Sequence, residues 1–271
     1  MVHLERRYVF TGRLAFTTAL HIGGGTGTLS PSDSPVVRGP DGLPFIPGSS
    51  FKGSFRSTVE KLALAAGLRS CGLLPQEGCP GAEGDAQRDL RHQAEEERWT
   101  EAKLVTELEQ RLCDTCKLFG SVFRSSRIFF DDLPLVEWAG ATQIRDGVGI
   151  DRDTEKARDR LKYDFEVVPP DAAFSMRVSL ENPSTTDLAL ACIGFSEFVG
   201  GFGSLGGKRS RGLGRCELRD LRVFELDLTV TGSERAERLK NYLLGRTLEE
   251  KMLERNAADF LDEQIRSLIG G

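Results

Sequence analysis

No apolar run in this chain approaches the roughly 20 residues that a membrane-spanning helix requires. Met1 to Arg7 leads into an alternating pattern rather than into the apolar block of a signal peptide. Both absences put the expected location in the cytoplasm. There the six cysteines read as thiols or metal ligands rather than disulfides. Internal repeats are lacking. So is a P-loop: Phe202 stands where that motif needs its first glycine, and Arg209 where it needs Ser or Thr after the lysine. An excess of positive charge is missing too. Across 271 residues, 36 Lys and Arg face 41 Asp and Glu, a net charge of −5, which argues against a generic nucleic-acid binder. With 39% hydrophobic and 28% charged residues, the chain reads as an ordinary globular protein with a sizeable core.

The charge that is present is unevenly spread. Glu83 to Glu109 holds nine acids against four bases, a segment net of −5 that equals the whole chain's charge. Lys208 to Arg222 holds six bases (Lys208, Arg209, Arg211, Arg215, Arg219, Arg222) against Glu217 and Asp220. Most charge runs are solvated faces. This basic one follows a glycine-rich loop, which suits it to phosphate.

Periodicity gives the core. Tyr8, Phe10, Leu14, Phe16, Leu20 and Ile22 alternate with Arg13, Thr17 and His21, predicting a long half-buried strand that ends at Gly23-Gly24-Gly25. Phe51, Phe55, Val59, Leu62 and Ala66 predict a helix, with Ser49 or Ser50 as its N-cap and Gly67 as its stop. Ile128 to Phe130 and Phe174 to Leu180 read as strands. Leu188 to Phe198 reads as a helix capped by Thr185 or Thr186 and ended by Gly200-Gly201. Cys216 to Val230 is a last strand whose phase shifts imply bulges. The order β-α-β-β-α-β is that of an α+β, ferredoxin-like (RRM-like) core, a common RNA-binding platform. The expected core covers 1–232 and carries two additions: a Cys-bearing helical insert over 68–120 and a protruding hairpin over 142–170 with a charged tip, Asp151 to Arg160. A helical tail follows over 233–271.

Few residues offer chemistry. The loop Gly200 to Lys208 contains a literal G-x-G-x-x-G at Gly201, Gly203 and Gly206, but helix-loop-strand order excludes a dinucleotide fingerprint. What remains is a run of unobstructed amides followed by Lys208, Arg209 and Arg211, a cradle for a polynucleotide backbone. Cys113 and Cys116 form a CxxC; with Cys71 and Cys79 they offer four thiolates for a structural Zn²⁺, with His92 as an alternative to Cys79. A redox pair is the rival reading, without its usual βαβ setting. Cys192 and Cys216 fall at core-facing positions. His21, beside a glycine-rich loop, is either a general base or a packing residue. Asp33, in Pro31-Ser32-Asp33-Ser34-Pro35, is either an exposed carboxylate for catalysis or a turn former.

These residues together resemble a family. The run His21-Ile22-Gly23-Gly24, then Asp33 to Arg38, then Leu43 to Arg56 is similar to the RAMP superfamily. More narrowly, it resembles the backbone subunits (Csm/Cmr-like, Cas family seven) of type III CRISPR effector complexes. Lys117 to Ser121, Gly149 to Arg152, Glu166 to Pro169 and the Gly200 to Gly214 loop extend the resemblance over roughly Tyr8 to Val230. It implies that Asp33 cleaves target RNA paired to a CRISPR guide RNA, with Mg²⁺ or another divalent ion. It also implies that guide RNA is held by Ser49, Ser50, Lys52, Gly53, Arg56, Arg152, Gly203, Gly206, Gly207, Lys208, Arg209 and Arg211. The hairpin would be a thumb wedged between nucleotides. The partners implied are guide RNA, target RNA and other subunits, including further copies or paralogues of this chain. Two other readings stand beside it: a structural subunit that binds guide without cleaving, and a guide-processing ribonuclease with His21 as base.

Overall fold

The computed structural model of the chain describes residues 3–23, 32–71, 78–80, 84–150, 153, 155 and 157–270. Its first strand, β1 (Arg6–Phe16), buries Tyr8, Phe10, Leu14 and Phe16 on one face, as the alternation requires. Leu20 and Ile22 are buried beyond its end, Leu20 through an isolated bridge to Val168. A two-residue strand, β2 (Phe45–Ile46), precedes helix α1 (Gly48–Ala63), whose Phe51, Phe55, Val59 and Ala63 form the buried stripe.

The expected cap of α1 is corrected. Ser49 and Ser50 lie inside its first turn, Pro47 takes the cap position, and the Gly48 N–H donates to Asp132 Oδ1 at 2.7 Å. A carboxylate from elsewhere in the fold thus serves where a local hydroxyl was expected. Gly67 ends the helical turns with φ +75°, and the Leu68 N–H closes back on Ala63 O at 2.9 Å.

The insert folds as α2 (Asp85–Glu96), α3 (Glu101–Arg111) and the short α4 (Asp114–Phe119). Strands β3 (Ile128–Phe130) and β4 (Leu133–Glu137) follow, then the hairpin β5 (Gln143–Ile150) and β6 (Ala157–Val167). Pairing runs from Gln143 with Val167 to Ile150 with Ala157, so β6 begins inside the segment expected as a charged tip. Of that segment 151, 152, 154 and 156 lie outside the described residues, Arg152 thus among them. Among the described residues the hairpin is buried at its base, where Phe165 and Val167 pack with Ala19 and Leu213.

Strand β7 (Ala173–Glu181) leads into α5 (Thr185–Val199), then β8 (Cys216–Asp227). The cap of α5 is Ser184, not Thr185 or Thr186. Its Oγ accepts from the Asp187 N–H at 3.1 Å, and Asp187 accepts the Ser184 N–H at 2.9 Å. The Asp three residues on completes a capping box that neither threonine could make. A register shift between Thr11 and Arg13, opposite Asp220 at φ +53°, is the bulge read from the phase change in β8.

The chain continues as α6 (Gly232–Leu244), α7 (Leu248–Lys251), β9 (Leu253–Arg255) and α8 (Ala257–Ile269). The sheet is antiparallel in the order β2-β4-β7-β1-β8-β9, with β3 also on β7. Helices and antiparallel sheet together make an α+β fold. Helices α1 and α5 cover one face with a phenylalanine cluster. Phe55 meets Phe119, Phe130, Phe195 and Phe198 at centroid distances from 4.9 to 6.2 Å. Such pairs add about 0.5–1.5 kcal/mol each beyond area burial. The approach of α5 depends on Gly194, where a Cβ would fall 2.4 Å from the Phe55 ring.

The C-terminal segment laces both faces. Val9, Phe224, Leu226 and Leu228 on the far face pack with Tyr242, Leu248 and Met252, whereas α8 returns Phe260 to within 5.6 Å of the Tyr8 ring on the helical face. Between them β9, a strand the helical periodicity did not announce, extends the edge at β8. Among the described residues no helix is long and apolar enough to cross a membrane.

Candidate nucleic-acid interface

Three segments distant in sequence meet at the end of β1. The first is the loop bearing Asp33, which is exposed. It runs beside β6: the Asp33 N–H donates to Asp164 Oδ1 at 2.7 Å, and the Asp164 N–H donates to Asp33 Oδ2 at 3.1 Å. The Glu166 N–H donates to Ser34 O at 3.0 Å, and the Val36 N–H to Glu166 Oε2 at 2.9 Å. Glu166 also receives Thr142 and Arg38. Burial alone would raise its pKa, but these hydrogen bonds outweigh it and hold the carboxyl below its ordinary range.

His21 sits behind this loop. It is buried; its Nδ1 lies 2.7 Å from Glu166 O and its Nε2 3.3 Å from Ser34 Oγ. A carbonyl can only accept, so Nδ1 carries a proton, and Nε2 shares a hydrogen bond with the serine hydroxyl. Both nitrogens are engaged, which makes His21 a tie between the loop and the hairpin base.

The second segment is the glycine-rich loop after α5. The Gly207 N–H donates to His21 O at 2.9 Å. Gly206 has φ +88°, and a Cβ there would stand 2.4 Å from His21 O, so only glycine lets the loop close on β1's end. Lys208 then lies over Phe165 at 4.1 Å and Tyr163 at 5.4 Å, and Arg211 donates to Tyr163 Oη at 2.6 Å. Arg209 is exposed on the same short helical turn. Gly203 lines a cleft of about 410 Å³ with Thr18, Phe202, Arg209 and Arg215. Phe202 is 77% exposed, an aromatic surface of the kind on which unpaired bases stack.

The third is the hairpin base itself, which presents Tyr163, Asp164, Phe165 and Glu166 to the other two. Asp33, Gly206, Gly207, Lys208 and Arg211 are therefore brought together around it. On α1, Ser49 and Gly53 are exposed and Ser50 is half-buried, while Ser54 Oγ reaches Ser204 O of the glycine loop at 2.5 Å.

Lys52 and Arg56 take a different side of α1. Lys52 Nζ donates to Ser126 Oγ at 3.2 Å, and burial, then the neighbouring Arg56 charge, lower its pKa. Arg56 Nε donates to Glu60 Oε1 at 2.7 Å, while its Nη2 lies 3.6 Å from Cys116 Sγ. This guanidinium is turned toward sulfur.

The sulfur belongs to a cluster. Cys71, Cys79, Cys113 and Cys116 converge with all four Sγ atoms within 4.8 Å of one another, Cys71 and Cys116 at 3.5 Å, Cys79 and Cys113 at 3.7 Å. Four sulfurs about 2.3 Å from a central tetrahedral ion such as zinc are about 3.8 Å apart, so this donor set fits one. Shared hydrogen bonds from Cys116, Cys71 and Cys79 push the Cys113 thiol down against burial, and the same network pushes Cys116 up. His92 is exposed on α2, 3.4 Å from Glu96. The fourth member of the cluster is therefore Cys79. Cys192 and Cys216 are fully buried, and burial pushes both thiols up, Cys216 to about 12.

Asp164, Tyr163, Phe165 and Phe202 carried no role in the sequence reading. Alternation in β6 showed only that Asp164 and Glu166 point opposite to Phe165 and Val167. It could not show that this side faces the Asp33 loop. For Phe202 the available signal was an aromatic between glycines, next to a basic run.

Comparison with known proteins places these features in a family. The profile described as "RAMP superfamily" matches residues 13–217, which include the Asp33 loop, the cysteine cluster, the hairpin and the glycine-rich loop. Two curated relatives match over shorter stretches. A protein named "CRISPR system Cms endoribonuclease Csm3" from Methanothermobacter thermautotrophicus is 40% identical over 62 residues, 22% of this chain and 25% of that protein. One of the same name from Enterococcus italicus is 53% identical over 53 residues, 18% of this chain and 25% of that protein. Each match spans about a quarter of the relative's length. The profile, by contrast, runs through every element that builds the interface, and the chain belongs to the RAMP superfamily.

Proposed function

We propose that this chain is a cytoplasmic backbone subunit of a type III CRISPR effector complex, binding guide RNA and cleaving the target RNA paired to it. The observation that carries this reading is the exposed Asp33 carboxylate at the hairpin base, opposite the cationic glycine loop. The endoribonuclease named in both partial relatives supports the cleavage half. The strand order β8-β1-β7-β3 with α1 and α5 on one face supports a ferredoxin-like core over 1–232, to which 233–271 is an appended segment. The hairpin is then the thumb and 68–120 the zinc-bearing insert, with Cys71, Cys79, Cys113 and Cys116 as ligands.

The chemistry asks little of the protein. RNA carries its own nucleophile, the 2′-OH, so the subunit must hold the linkage in line and assist proton movement. Lys208, Arg209 and Arg211, with Arg152, Lys52 and the loop backbone at Gly203 and Gly206, hold guide backbone; Gly207, whose N–H is already given to His21 O, lets the strand pass close by. Ser49, Ser50 and Gly53 give it room along α1. Asp33 takes or orients the proton of the attacking hydroxyl. Its carboxylate is a hard oxygen donor that suits Mg²⁺, and such an ion would offset charge on the phosphate. Products then end in a 2′,3′-cyclic phosphate and a 5′-hydroxyl.

The test is sequencing of RNA that co-purifies with the complex, followed by challenge with labelled RNAs. Recovery of guide RNA and cutting of guide-paired target support the proposal. Cutting of precursor guide alone would replace it with the processing reading, in which buried His21 would have to act as base.

A further inference from the structure

Asp33 and Asp164 lie 131 residues apart, on a loop and on a hairpin with no direct chain connection. Yet the loop follows β6 closely. Its N–H groups at Asp33 and Val36 donate to the Asp164 and Glu166 carboxylates, and its Ser34 carbonyl accepts the Glu166 N–H. In return the Asp164 N–H holds one oxygen of the Asp33 carboxylate.

We propose that Asp164 is a positioning residue: its reciprocal clasp with Asp33 fixes the cleaving carboxylate to the hairpin, so that hairpin engagement of RNA sets the cleavage position. This rests on the cleavage reading above. Three features carry it. Both bonds of the clasp involve a charged acceptor, the stronger class of hydrogen bond. Each carboxylate receives a backbone N–H, which offsets the repulsion of two anions held close together. The Glu166–Val36 and Glu166–Ser34 bonds, with His21 behind them, keep the loop in the register that lets residues 33 and 164 face each other. Asp164 acts through Asp33. A displacement of about 1 Å in a reacting group can cost about 10²-fold in rate, so loss of the clasp shows in turnover rather than in binding.

The experiment uses the reconstituted complex with its guide and a labelled target, and compares Asp164→Ala, Asp164→Asn and Asp33→Ala. Both Asp164 variants keep the backbone N–H that holds Asp33 Oδ2; Asp164→Ala removes the half of the clasp that anchors the Asp33 N–H, whereas asparagine keeps an oxygen that can accept it. The expected result is a kcat lower by about 10- to 100-fold in Asp164→Ala with target affinity unchanged, and near wild-type cleavage in Asp164→Asn. Amide exchange at Asp33 should rise in Asp164→Ala and return in Asp164→Asn. Full-rate cleavage by Asp164→Ala, beside an inactive Asp33→Ala, overturns the clasp and leaves the cleavage reading standing. Equal loss in both Asp164 variants makes the charge itself essential and overturns the positioning role. Should Asp33→Ala cleave at full rate, the cleavage reading fails instead, and unaltered exchange at Asp33 in Asp164→Ala then overturns the clasp independently.

Discussion

Lys52 and Arg56 stand one helical turn apart on α1, and a charge count would treat them as equal phosphate contacts. The structure separates them. The charge of Arg56 is offset by Glu60 at 2.7 Å and its second arm faces Cys116 Sγ at 3.6 Å, whereas Lys52 donates to the neutral Ser126 hydroxyl and has no acid paired with it among the described residues. Replacing a lysine that releases one counterion from single-stranded RNA lowers the salt slope of binding by about 0.7. Lys52→Ala should therefore lower the slope by about 0.7, Arg56→Ala should leave it nearly unchanged, and the double variant should match Lys52→Ala. Arg56→Ala should act on the cysteine cluster instead. Loss of an outer partner typically weakens metal binding by about 10- to 100-fold, read here as faster zinc release to a chromogenic chelator. Arg56 is half-buried and lies over the Phe119 ring, so a thermal melt of Arg56→Ala run alongside separates faster zinc release from general unfolding. The assay is binding of guide RNA across a salt series, paired with the release kinetics. Equal drops in slope for the two single variants, with zinc release unchanged, would refute the reasoning.

Three further expectations follow from the geometry. Purified protein should carry one tightly held zinc whose removal makes Cys71, Cys79, Cys113 and Cys116 reactive; metal analysis finding none, with all four thiols freely reactive, contradicts this. Phe55→Ala, which empties the centre of the phenylalanine cluster, should cost about 3–5 kcal/mol and lower Tm by about 6–20 °C. A thermal melt shifted by less than a degree would show that α1 and α5 do not depend on that ring. Glu166 has a carboxyl held below its ordinary value of 4.5, so its contribution is present above that pH and is lost as pH falls through the depressed value. Amide exchange at Val36 should accelerate on that acid side in the wild type, and Glu166→Gln should lack the step; identical acid profiles would remove Glu166 as the anchor.

The elements that could be read from sequence were those whose signal is local and repeated. Tyr8, Phe10, Leu14 and Phe16 alternate because one face of β1 meets two helices, and the Phe51, Phe55 and Val59 spacing is the complement on α1. The four cysteines were legible by chemistry, although the choice of Cys79 over His92 needed the fold, since α2 carries His92 out to solvent. Features set by distant partners were not legible. The cap of α1 comes from Asp132, far along the chain, and β9 is a strand only because β8 offers an unpaired edge. The same limit applies to the site. Asp33 was marked by its Ser-Asp-Ser-Pro setting and by resemblance, but its partner Asp164 was one of many charges on an alternating strand. Arg56 was assigned to guide RNA by resemblance, and a resemblance holds no information about which neighbours its guanidinium meets in this fold, here Glu60 and Cys116 Sγ.

The most direct test of the central claim is the cleavage rate of Asp33→Ala in the assembled complex, with guide and target affinity measured alongside. The account expects a fall of about 10²–10⁴ in rate with both affinities nearly unchanged, because binding is spread over many phosphates while proton transfer depends on one carboxylate. Cleavage at the full wild-type rate in Asp33→Ala would contradict it.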